Sequence, residues 1–169
     1  AWKLVVVIGT EPAAMKSDTT VQTLTDLTLT VFRLNGALLQ WGDRLVEPLG
    51  LTSARWQMLG AIALARAPLS APQVGESMGV SRQGAQKQLN LLVEQGLVES
   101  FANPAHRRSP LYRLTARGQH RYERAQALWR TRAAAFGAHL SASRSAAAMA
   151  TLEGLLRQLQ VNGVASEDE

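Results

Sequence analysis

The chain has 169 residues, 46% hydrophobic and 18% charged, which allows one domain with a real core or a small domain joined to an oligomerisation element. It contains no cysteine, which excludes disulfides, thiolate zinc sites and thiol-based redox sensing. The formal net charge of +5 points to a polyanionic partner only if the positive charge is clustered.

Residues 1–19 stand apart as an N-terminal extension. The stretch "AWKLVVVIGTEPAA" is β-prone and breaks at Pro12, which fits an extra strand or an extension without functional weight. No Gly-Lys-Ser/Thr follows it, so a phosphate-binding loop is not supported. The apolar run "LVVVIG" is too short to cross a bilayer and lacks the layout of a signal peptide. A cytoplasmic protein with no membrane partner is expected.

From residue 20 a helical period takes over. Val21, Leu24, Leu27, Val31, Leu34, Leu38, Trp41 and Leu45 step by three and four, one apolar stripe over about seven turns. Pro48 and Gly50 end it, so residues 20–50 form a long helix whose seam calls for a partner helix. At the other end, Tyr122, Ala125, Trp129, Arg132 and Phe136 trace a second long helix. Met149, Leu152, Leu156 and Leu159 trace a third, capped by Ser141 or Ser143. The middle of the chain is too small to cover these stripes. Residues 20–50 and 119–162 therefore read as dimerisation helices of a homodimer, and 163–169 as a disordered tail. Packing within one chain is the alternative.

Residues 51–118 carry the most information. Thr52 caps a helix bearing Trp56, Leu59 and Ile62, which ends before Ala67-Pro68. Ser70 caps a short helix with Val74 and Met78, and Gly79 stops it. Ser81 caps the next helix, which runs to Gln95 and stops at Gly96. Two helices joined by a turn of about three residues containing glycine make a helix-turn-helix. The period then changes to two. "LVESF" and "LYRL" flank "ANPAHRRSP", a two-stranded hairpin with a long tip. The predicted fold is mostly α with a small β-hairpin wing: a winged helix-turn-helix between N- and C-terminal dimerisation helices.

On the second helix of the pair, Ala85, Leu89, Leu92 and Val93 must face inward, leaving Arg82, Gln83, Gln86 and Lys87 on the opposite face near its start. N-terminal residues of such a helix reach base edges in the major groove, where Arg and Lys suit guanine and Gln suits adenine. Ser81 adds a phosphate contact at an electropositive helix start. Arg107 and Arg108 at the hairpin tip fit an adjacent narrow minor groove. Arg113 and Arg117, nearer its base, would meet phosphates, or Arg113 would pair with Glu99 across the hairpin. An ordinary solvated face is the alternative for each of these polar residues.

"LTSARWQML", "LSAPQVGESMGVSRQGAQKQLNLLVEQGLVES" and "NPAHRRSPLYRLTARG" together resemble the multiple antibiotic resistance regulator (MarR) family over roughly residues 20–160. Leu114-Thr115-Ala116-Arg117-Gly118 matches the family's Leu-Thr-x-x-Gly, and Arg108 falls on its wing arginine. The resemblance implies a homodimeric, sequence-specific transcription regulator, usually a repressor. It implies intertwined terminal helices, a double-stranded DNA operator arranged as an inverted repeat, and release by a small aromatic or phenolic effector. It implies no cofactor. The family's effector pocket would place Trp41, Arg55 and Trp56 together, an arginine and two tryptophans suited to an aromatic carboxylate. Two core tryptophans and a surface arginine are the alternative. His106 stands where the family has aspartate. A neutral imidazole steadies the wing less and a protonated one repels Arg108, which would make the wing more mobile and the affinity pH-dependent in the histidine range; a solvated wing residue without such a role is the favoured alternative.

An enzyme is disfavoured. His106, His120 and His139 show neither metal spacing nor a nucleophile partner, so no catalytic or metal site is expected. A non-specific architectural DNA binder, a winged-helix regulator of another family and a winged helix used for protein contacts are the remaining readings.

Overall fold

The structure is a computed structural model that describes residues 13–65 and 67–164. The β-prone residues 1–12 and the end of the expected tail, 165–169, lie outside the described residues. Helix α1 spans Ala13–Val46, so it starts upstream of the apolar stripe that begins at Val21. A 3-10 turn at Glu47–Leu49 follows, with Pro48 near its start. Gly50 closes it at φ 66°, donating its N–H to the Glu47 carbonyl at 2.8 Å.

Helix α2 spans Ser53–Leu64. Its start is capped twice. The Thr52 hydroxyl accepts the Arg55 N–H at 3.3 Å, and Asp43 of α1 accepts the Ser53 N–H at 2.6 Å. The second cap fixes α1 against α2. Gly42 leaves room for this approach, since a Cβ there would lie 2.7 Å from the Ser53 hydroxyl.

Strand β1 at Leu69–Ser70 leads into α3, Ala71–Met78. The Ser70 N–H donates to Gln73 Oε1 at 2.8 Å, half of a capping box. Gly79 ends α3 at φ 63°. Helix α4, Arg82–Glu94, begins three residues beyond α3, with the Ser81 hydroxyl accepting the Gly84 N–H at 3.0 Å. Gly75 permits the tight turn between them, because a Cβ there would stand 2.9 Å from the Val80 carbonyl. The inward face of α4 is as the period requires, with Ala85, Leu89 and Leu92 fully buried.

Strands β2 (Val98–Phe101) and β3 (Leu111–Leu114) form the hairpin, with Glu99 opposite Arg113 and Ser100 opposite Tyr112. The sheet has three strands in the order β1-β3-β2, all antiparallel. The sequence reading found only the hairpin; β1 contributes two residues, too few to show a period of two.

Helix α5 spans Ala116–Gly137 and α6 spans Ala142–Val164, so residues 163 and 164, expected in the tail, are helical. The buried hydrophobic core of the described chain runs from Val46 to Ala125 and draws nothing from α6. Among the described residues α6 makes at most slight contact with any other element. The terminal stripes stay open to solvent: Leu24, Leu34 and Leu38 on α1, and Met149, Leu156 and Leu159 on α6, are all exposed.

The base of the wing is locked by backbone. The Thr115 N–H donates to the Leu97 carbonyl at 3.1 Å, and the Thr115 hydroxyl donates to the Gly96 carbonyl at 2.8 Å while accepting the Gly118 N–H at 3.0 Å. A Cβ on Gly118 would fall 1.8 Å from the Leu97 carbonyl oxygen, far inside van der Waals contact. Gly118→Ala is expected to cost at least about 2 kcal/mol, read as a lowered midpoint in denaturant unfolding. An unchanged midpoint would show that α5 can shift without loss.

Candidate nucleic-acid interface

The start of α4 and the tip of the wing face one cleft. Its volume is about 910 Å³, and its lining includes Ser70, Gln73, Arg82, Asn103, His106, Arg107 and Arg108 but no carboxylate. Arg82 is shared with a second groove of about 520 Å³ along the outer face of α4, where Gln83, Gln86, Lys87 and Asn90 also lie. Ser81, Arg82, Gln83 and Lys87 are exposed, and Gln86 is half-buried. The capping at Ser81 satisfies the third N–H of α4 and leaves the Arg82 and Gln83 amides as open donors at its electropositive end.

The wing tip has its own closure. Asn103 donates from Nδ2 to the Ser109 carbonyl at 2.9 Å and accepts the Ala105 N–H on Oδ1 at 3.0 Å. The His106 backbone completes two turns: its N–H donates to the Asn103 carbonyl at 3.2 Å and its carbonyl accepts the Ser109 N–H at 2.9 Å. The His106 side chain is exposed. The loop is therefore tied by Asn103.

Two of the predicted contact residues have neighbours within the chain. Arg113 donates to Glu99 at 2.6 Å and sits over the Phe101 ring at 5.2 Å. The cross-strand pairing, one of the two roles open from sequence, is the one the structure displays. Both side chains are largely exposed, so the pair is worth about 0–1 kcal/mol. Arg117 lies at the far end of α4, lining a recess with Glu94, Gln95 and Arg121. Arg121 donates to the Leu49 carbonyl and so ties α5 to the turn after α1.

Trp41 and Trp56 do converge, but on Trp129 of α5 rather than on Arg55. Trp129 meets Trp41 edge-on at 5.8 Å and Trp56 at 6.3 Å, and Phe136 lies 5.5 Å from Trp41. The Arg55 Nε turns back to the Thr52 hydroxyl at 3.2 Å. Trp129 and Phe136 were visible in sequence as one helical stripe; nothing there showed that they join Trp41. Among the described residues no group of three or more His, Asp or Glu could hold a metal, and no helix is long and apolar enough to cross a membrane.

A family model described as the MarR family matches residues 49–109, which hold the helix pair and most of the wing. That segment is similar to the MarR family. Over 89 residues, 53% of the chain, it is 43% identical to the uncharacterized protein Rv2011c of Mycobacterium tuberculosis, and the match spans 61% of that relative's length. The transcriptional regulator MosR of M. tuberculosis, solved in complex with DNA, is 27% identical and superposes with a TM-score of 0.65 over 78% of this chain and 96% of its own. CouR of Rhodococcus jostii, solved with bound p-coumaroyl-CoA, is 20% identical with a TM-score of 0.68 over 77% of this chain and 91% of its own, a likeness of fold. The MarR-like fold thus extends well beyond the residues that the family model matches.

Asn103→Ala removes two hydrogen bonds at the wing tip, each worth about 0.5–1.5 kcal/mol. Amide exchange across residues 102–110 should speed up while exchange in α4 stays unchanged. Equal protection in both proteins would mean that Asn103 does not hold the tip.

Proposed function

We propose that the chain is a homodimeric, sequence-specific DNA-binding repressor of the MarR type. The observation that carries this reading is the carboxylate-free cleft between α4 and the wing, lined by Arg82, Arg107 and Arg108. A site of one sign concentrates the opposite charge, here that of phosphate. In this reading Arg82, Gln83, Gln86 and Lys87 face base edges in the major groove, Ser81 and the open α4 amides hold a phosphate, and Arg107 and Arg108 enter the adjacent minor groove. Arg113 acts within the wing, through Glu99, rather than on the duplex.

The dimer rests on the apolar stripes of α1 and α6. Burying a large aliphatic side chain is worth about 1.5–3 kcal/mol, and one subunit leaves whole rows of them uncovered. A second subunit with the same rows covers them by symmetry. The two α4 helices then meet an inverted repeat with half-sites about one helical turn apart. That MosR was solved on DNA supports the same mode.

Arg108→Ala should weaken operator binding by about 1–3 kcal/mol at unchanged thermal stability, by fluorescence anisotropy. Unaltered affinity would remove the wing tip from the interface.

A small aromatic effector fits a separate observation, the cluster of Trp41, Trp56, Trp129 and Phe136 where α1, α2 and α5 meet. The Phe136 ring is 51% exposed, so the cluster opens to solvent. A planar ligand stacking there would bridge the dimerisation helices to the DNA-binding lobe. An aromatic acid that releases the operator from the wild type should do so at about tenfold or more higher concentration with Trp41→Ala. Equal release from both proteins would place the effector elsewhere.

A further inference from the structure

Gln73 stands in the first turn of α3 and is exposed on the wall of the basic cleft. Its side-chain oxygen accepts the Ser70 backbone N–H at 2.8 Å and the Ser70 hydroxyl at 2.9 Å. A backbone N–H can only donate, so turning the amide over would set its NH2 group against that N–H. The cap therefore fixes the orientation, with the oxygen on Ser70 and both side-chain N–H groups turned away from it. Neither of them has an acceptor among the described residues.

The cleft that Gln73 lines also holds Arg82, Arg107 and Arg108 and no carboxylate. Pro72, the residue before Gln73, has no N–H, so the start of α3 offers no run of backbone amides to an anion. The Gln73 side chain supplies donors there instead. Three elements, α3, α4 and the wing, thus bring N–H groups to one cleft. A group that accepts from all three and balances the arginines carries several anionic oxygens, as a phosphate of the DNA backbone does. An amide already pinned by its own helix cap loses little further freedom on binding.

We propose that Gln73 is a phosphate-binding residue of the DNA interface, seating a backbone phosphate between α3 and the wing arginines. The inference rests on the DNA-binding reading of the cleft and adds α3 to α4 and the wing. A contact of this kind contributes affinity and register, and no sequence preference.

The test is fluorescence anisotropy of the full chain on the duplex upstream of its own gene and on a scrambled duplex, across a salt series, with thermal unfolding of each variant. Gln73→Glu keeps the cap, since Ser-x-x-Glu is a common form of the capping box, but puts a carboxylate where the donors stood. It should weaken binding to both duplexes about tenfold or more at an unchanged unfolding midpoint. Gln158→Glu makes the same charge change at an exposed residue of α6 and should cost about twofold at most. Gln73→Lys puts a cation in the seat and should steepen the dependence of log affinity on log salt by about one per subunit. Equal losses from Gln73→Glu and Gln158→Glu overturn the proposal, and so does an unchanged salt slope in Gln73→Lys. A loss from Gln73→Glu on one duplex only overturns it as well, because a phosphate contact is blind to sequence. These results leave the DNA-binding reading standing; a wild type that binds neither duplex overturns both.

Discussion

The carbonyl of Leu97 sits where the helix pair, the hairpin and the long α5 helix meet. It takes the Thr115 N–H, and it approaches Gly118 so closely that no side chain fits there. Thr115 binds the Gly96 carbonyl on one side and caps α5 on the other. One short segment therefore ends α4, closes the base of the wing and starts α5. The angle of the wing to α4 follows from this junction, and so does the cleft between them. The basic residues at the cleft stand on two elements, Arg82 on α4 and Arg107 and Arg108 on the wing, and this backbone lock helps to bring them to one surface.

The molecule divides its apolar surface unequally. Residues between Val46 and Ala125 bury a core of their own, while α6 and much of α1 keep their leucines in water. In the proposed dimer those rows pack against a second subunit, and the aromatic cluster of Trp41, Trp56, Trp129 and Phe136 lies at the boundary between the covered core and the uncovered helices. A ligand there would touch both parts at once, the arrangement in which binding at one site biases the geometry of another.

Local rules made much of this legible. Thr52, Ser70 and Ser81 read as helix starts because a short hydroxyl side chain or its neighbour satisfies the first free amides. Gly79 and Gly96 read as stops because φ near 63° and 66° suits glycine. The helix pair, the hairpin and the exposed arginines followed. What stayed hidden depends on contacts far apart in sequence. Asp43 caps α2 from α1 across ten positions, and Arg121 reaches back 72 positions to Leu49. Strand β1 is only two residues long, and the start of α1 has no apolar period to mark it. Arg113 had two open roles until the strand register placed Glu99 opposite it. Gln86 looked like any exposed glutamine, since its partner Tyr112 belongs to the wing.

The central claim is that the basic cleft reads a particular DNA sequence. The most direct measurement is fluorescence anisotropy of the full chain with the duplex upstream of its own gene and with a scrambled duplex of the same composition, at several salt concentrations. The account predicts at least about a thousandfold preference for the first at physiological salt, with both affinities falling as salt rises. Equal affinity for the two duplexes would contradict it.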